Sequence, residues 1–223
     1  MVKARQIGIS QVVAAEALFS AKHYPGQTIL FVSRNLEAAQ HLQRLVYRLL
    51  ETDPMLPEIR KQNERELLFA NDSAILSLPA TEETGRTYAA SAVYLDEFAH
   101  APWAEKIYQA VAPCISRGGR LTVISTPKGK ADLFYQLYQE TILGKRSFEL
   151  HRLDWSQCPE YNPTGFDLPE LQERQRIGEA GDWFQSMRPR YSDRQWAEEF
   201  ECDFAGSAGL VYREFDPEVH VIE

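Results

Sequence analysis

A chain of 223 residues, 44% hydrophobic and 25% charged, can bury one sizeable core with room for an appended lobe, and 12 glycines and 12 prolines carry no signature of disorder or of a fibrous repeat. The formal net charge of -8 excludes a surface coated in positive charge for general nucleic-acid binding, although a local basic strip can still meet phosphates. No apolar run approaches the roughly 20 residues that cross a bilayer, the N-terminus lacks a secretory pattern, and Cys114, Cys158 and Cys202 suit neither a disulfide framework nor a zinc ligand set, so a reducing cytoplasm is expected.

In chain order, a short N-terminal loop leads to a helix expected over Ile9–His23, where Val12, Val13, Ala17, Leu18 and Ala21 recur near helical spacing and Pro25-Gly26 end the run. Thr28–Val32 reads as a strand, and Asn35 caps a helix whose apolar face is Leu42, Leu45, Val46, Leu49 and Leu50. Asp53–Gln62, with two prolines and mixed charge, reads as a surface connection. Glu66–Ala70 and Ser73–Leu78 read as strands of a hairpin turning at Asn71-Asp72. Ala92–Leu95 and Leu121–Ser125 are near-continuous in apolar residues, as central parallel strands are. Helices are expected over Trp103–Ile115 and Lys130–Leu143, and a further strand over Phe148–Leu153. After Trp155 the chain turns polar and helical, which sets a boundary between a core, residues 1–155, and a linker with a helical lobe, residues 156–223. Apolar strands alternating with helices give an α/β fold with a mainly parallel sheet flanked by helices and a small, mostly helical C-terminal lobe. Trp155, Trp183 and Trp196, close to Arg174, Arg176, Arg188, Arg190 and Arg194, are read as packing of that lobe rather than as a stacking platform for bases, and the five dispersed histidines offer no structural metal site.

The chemistry gathers at strand ends. Tyr94-Leu95-Asp96-Glu97 runs an apolar strand directly into two carboxylates, a Walker B pattern in which Asp96 takes the Mg²⁺ role and Glu97 orients and deprotonates the attacking water. An acidic pair capping the next helix has the same spelling, so other motifs must decide. Lys3 to Ser10, KARQIGIS, lies just ahead of the first helix, where a phosphate-binding loop sits. Gly8 and Ser10 match the second glycine and the final Ser or Thr of G-x-x-x-x-G-K-[ST], while Lys3 stands at the first glycine and Ile9 at the lysine. Backbone N–H groups at the helix start can cradle phosphates, Ser10 can reach Mg²⁺, and Lys3 or Arg5 can supply the positive charge. A basic tail before a capped helix is the plainer alternative.

These residues resemble the large subunits of viral DNA-packaging terminases, the family that commonly carries a deviant Walker A of the form K-x-R-Q-x-G-x-[ST], here Lys3, Arg5, Gln6, Gly8 and Ser10. The resemblance continues through Phe31-Val32-Ser33-Arg34, Asp96-Glu97-Phe98 and Ser125-Thr126-Pro127, which is similar to the family's coupling motif, and so covers nearly the whole chain. It implies a P-loop NTPase-like ATPase core from a tailed bacteriophage or prophage, in which Ser125 and Thr126 sense the γ-phosphate and pass on its loss. Thr84-Gly85-Arg86 matches the place where some members carry an arginine finger acting in trans, which requires a ring of subunits.

The function so implied is Mg²⁺-dependent ATP hydrolysis coupled to movement of double-stranded DNA into a procapsid, by a homo-oligomeric ring on the portal protein with a small-subunit partner, in the host bacterial cytoplasm. Only Met1 and Val2 precede Lys3, so the strand feeding the loop is expected to be missing, and the chain stops near where a nuclease domain begins, so DNA cleavage is not expected. Two rival readings remain: a non-catalytic terminase remnant that keeps the fold, and a helicase-like ATPase stimulated by nucleic acid.

Overall fold

The computed structural model describes residues 1–55, 57–81, 88–179 and 181–204. It opens with β1 (Val2–Lys3) and a loop ending at Gly8, whose φ of 83° lies in the left-handed region that glycine adopts without strain. Helix α1 (Ile9–His23) follows with Val13, Ala14, Ala17, Leu18 and Ala21 buried. Strand β2 (Thr28–Ser33) leads through Asn35, whose side chain accepts a hydrogen bond from the Ala38 N–H at 2.8 Å, into α2 (Leu36–Glu51). Next come β3 (Ile59–Gln62), β4 (Glu66–Phe69) and β5 (Ala74–Leu78), then β6 (Ala92–Asp96), α3 (Ala104–Val111) and β7 (Arg120–Val123). Helix α4 (Leu133–Ile142) is capped by Asp132, and β8 (Arg152–Leu153) ends the sheet region. The lobe is built from α5 (Leu168–Arg176), α6 (Asp182–Met187) and α7 (Asp193–Glu199).

The six-stranded sheet has the order β3-β4-β5-β2-β6-β7, with β5, β2, β6 and β7 mutually parallel and β3 and β4 antiparallel at one edge. Beside β7, the pair β8-β1 continues the array: the Lys3 N–H donates to the Ser125 carbonyl at 3.1 Å and the Ala4 N–H to the Leu153 carbonyl at 2.7 Å. Strand periodicity divides the core in two. Ile29 and Phe31 face the cluster closed by α1 and α2, while Leu30 and Val32 face the cluster that holds Ile107, Phe134, Trp155 and Trp196. A parallel sheet with both faces covered needs near-continuous apolar runs in its central strands, and residues 29–32 of β2 and 92–95 of β6 supply them.

Several expectations change. The strand expected to be missing ahead of the loop is present as β1, held on one side by Ser125 and on the other by β8. The supposed surface connection ends in β3, an edge strand whose residues after Ile59 are polar and exposed, so burial periodicity does not mark it. The helix expected from Trp103 starts at Ala104 and tightens to a 3₁₀ turn at Ala112–Ile115, where Pro113 removes a backbone donor. Residues from Phe148 contribute only Arg152–Leu153 to a strand. Among the described residues, no helix is long and apolar enough to cross a membrane.

Candidate active site

The carboxyl ends of β1, β2, β6 and β7 converge, the place where open α/β sheets bind ligands. Each strand delivers a different group because each leaves the sheet by a different turn. After β1 the backbone passes through Gln6, at φ 58°, and Gly8 before α1 begins, and the first N–H groups of α1 receive no side-chain cap from Gly8. After β2 come Ser33, Arg34 and Asn35. After β6, Glu97 adopts φ 52° and starts a 3₁₀ turn, Phe98–His100. After β7 come Ile124, Ser125, Thr126 and Pro127.

A cleft of about 480 Å³ opens between these ends, and Arg5, Ser10, Asp96, Glu97 and Thr126 all line it. Lys3 reaches the same place from below. It is only 5% exposed, and its Nζ lies 2.9 Å from Glu97 Oε1, an ion pair between the end of β1 and the turn that follows β6. Arg5 is turned toward the lobe: its N–H donates to the Glu199 carbonyl at 2.7 Å and its guanidinium stands 3.3 Å from the Glu199 carboxylate. Tyr161 Oη donates to the Gln6 carbonyl at 2.8 Å, so the lobe holds the loop at two successive residues. Ser125 is fully buried, and its hydroxyl accepts from the Ala99 N–H at 3.1 Å. Arg86 lies outside the described residues.

Asp96 is 9% exposed, and burial, with the Glu97 carboxylate adding repulsion, pushes its pKa up to about 6 against the pull of Lys3. In β2, directly opposite in the ladder, Ser33 is 2% exposed and its hydroxyl has no hydrogen-bond partner among the described residues. A buried, proton-hungry carboxylate beside an orphaned hydroxyl is a donor set that fits a hard divalent cation and its water shell. The sequence reading assigned no role to His100, Arg34, His41 or Arg44, which also line the cleft. His41 and Arg44 stand at i and i+3 on α2, and that pair on the helix after β2 was the available signal. His100 carried none, because register alone brings it to Thr126, at 2.9 Å between Nε2 and Oγ1.

Residues 1–218 match the family described as terminase large subunit, T4likevirus-type, N-terminal. The chain belongs to that family. Solved structures agree on the fold. The large terminase ATPase domain of Thermus phage P74-26 is 23% identical, with a TM-score of 0.61, over 92% of this chain and 87% of that one. The large terminase of a second thermophilic bacteriophage, in complex with ADP, is 15% identical at a TM-score of 0.63, over 99% of this chain and 51% of that one. The HK97 bacteriophage large terminase is 16% identical at a TM-score of 0.61, over 84% and 44%. The chain therefore spans about half the length of the ADP-bound thermophilic-phage protein and of the HK97 protein, and most of the P74-26 domain. Membership makes it the N-terminal part of a terminase large subunit, and the solved structures share its α/β sheet flanked by helices; nothing in either comparison favours the helicase-like or non-catalytic readings.

Proposed function

We propose that this terminase chain binds ATP in the cleft between the phosphate loop and the Walker B strand and hydrolyses it to drive double-stranded DNA. The observation that carries this reading is the convergence of Ser10, the adjacent pair Asp96 and Glu97, and Thr126, from three separate segments, on one polar cleft. Lys3, Arg5, Gln6, Gly8 and Ser10 form the loop that receives the phosphates, with the uncapped N–H groups of α1 pointing at their charge. Ser10 and Asp96 would hold Mg²⁺, which when bound neutralises charge on the phosphates. Glu97 orients the attacking water and takes its proton. Incoming phosphate oxygens compete for the Lys3 ammonium, and a Glu97 carboxylate released from that ion pair becomes available as a base. Ser125 and Thr126 register the terminal phosphate and pass its loss to the turn that follows Walker B.

At larger scale residues 1–155 form the ATPase core and residues 156–223 a linker and helical lobe. Arg86 serves a neighbouring subunit as an arginine finger in a homo-oligomeric ring on the portal protein, with the terminase small subunit as a further partner in the host cytoplasm. The test is titration of a slowly hydrolysed ATP analogue with and without Mg²⁺. The parent is expected to bind more tightly with the ion and Asp96→Asn to lose that difference, whereas an equal Mg²⁺ effect in Asp96→Asn contradicts the metal assignment.

A further inference from the structure

The turn after Walker B and the segment after β7 are stitched together residue by residue. The Phe98 N–H donates to the Ile124 carbonyl at 3.1 Å, the Ala99 N–H donates to the Ser125 hydroxyl at 3.1 Å, and His100 Nε2 meets the Thr126 hydroxyl at 2.9 Å. The first two rungs use backbone N–H groups, whose direction is fixed. The third uses an imidazole nitrogen and a hydroxyl, either of which can give the proton. Both side chains line the cleft that holds Asp96 and Glu97, and Thr126 is 3% exposed.

A threonine hydroxyl has one proton. If it donates that proton to His100, it presents only lone pairs to the cleft, and lone pairs facing the acceptor oxygens of a terminal phosphate repel them. If His100 donates, the threonine proton is left to point at the phosphate. Burial holds the His100 pKa below the usual histidine value, against the opposing pull of Glu97 and Glu199, which leaves a neutral ring with a single proton to place.

We propose that His100 is a positioning residue that carries its proton on Nε2 and donates it to Thr126 Oγ1, so that the Thr126 hydroxyl is set as a donor to the terminal phosphate. The inference rests on the reading of Thr126 as the phosphate-facing coupling residue. It makes His100 part of phosphate sensing although it touches no phosphate, and it gives the stitched turn a chemical purpose beyond rigidity.

The decisive measurement is the tautomer of the His100 ring in the nucleotide-free full chain, read from long-range ¹H–¹⁵N correlations, with the His100→Gln spectrum identifying its signal among the five histidines. The Nε2–H form supports the inference, and the Nδ1–H form overturns it whether or not the protein turns over ATP. Kinetics supply the second test. His100→Ala is expected to lower kcat on the order of tenfold with little change in the KM for ATP. His100→Gln, whose amide N–H₂ reaches the position of Nε2, is expected to recover most of the loss. In a Thr126→Val background the alanine change should cost nothing further, and a full additional loss there would overturn the link through Thr126. A parent without turnover contradicts the ATPase reading itself, which separates that failure from this one.

Discussion

Asp96 and its surroundings set folding against function at the level of single side chains. Its folded pKa of about 6 lies above the ordinary carboxylate value of 3.8, so the folded state binds its proton more tightly than the unfolded chain does. Its contribution to stability is therefore greatest below pH 4 and is lost as the pH rises toward 6. Asp96→Asn should raise stability at pH 7 without Mg²⁺, on the order of 3 kcal/mol, and the gain should vanish near pH 4. Urea unfolding at the two pH values checks this, and equal stability of parent and variant at pH 7 would contradict it. The Asp96-Glu97 pair is legible in sequence because its members are adjacent and follow an apolar strand. The partner of Glu97 is not, since Lys3 lies 94 residues away and meets it only after β1 and β6 are in place. His100 is hidden for the same reason, its contact being created by strand register rather than spacing.

Elements whose ends carry their own stop signals are those that the sequence locates well. Helix α1 runs over Ile9–His23 as expected, between a left-handed Gly8 and the Pro25-Gly26 pair, and α2 begins where Asn35 predicts. Asn35→Ala removes an N-cap hydrogen bond of 2.8 Å and is expected to cost about 1 kcal/mol in urea unfolding. A loss below a few tenths would mean that the α2 packing residues Leu42, Leu45 and Val46 fix the helix start without the cap. The elements located poorly, β1, β3 and β8, are short and defined by pairing rather than by an internal pattern. β1 is two residues long and exists because Ser125 and Leu153 satisfy its backbone; β3 is polar beyond Ile59 and exists because β4 offers an edge. Neither β1 nor β3 buries enough of its own surface to announce itself in composition.

At the scale of the whole molecule, the lobe and the sheet share one hydrophobic cluster, in which Trp155 stacks on Trp183 at 5.4 Å and Trp196 on Phe200 at 4.5 Å. The tryptophans read in sequence as packing residues do pack, and the same lobe brings Glu199 and Tyr161 to the loop between β1 and α1. Trp196, 2% exposed, is central to that arrangement, so Trp196→Ala is expected to cost about 3–5 kcal/mol. Because the core is shared, urea should unfold the parent in one transition seen alike by tryptophan fluorescence and circular dichroism, whereas two separated transitions would mean that the lobe folds apart from the sheet. The account as a whole turns on whether the cleft hydrolyses ATP through Glu97. The most direct measurement is steady-state ATP turnover by the parent and by Glu97→Gln with Mg²⁺ present, alongside nucleotide binding by both. The parent should turn over, and the variant should retain nucleotide while turnover falls by about a hundredfold or more. Turnover in Glu97→Gln equal to that of the parent would contradict the assignment of Glu97 as the base.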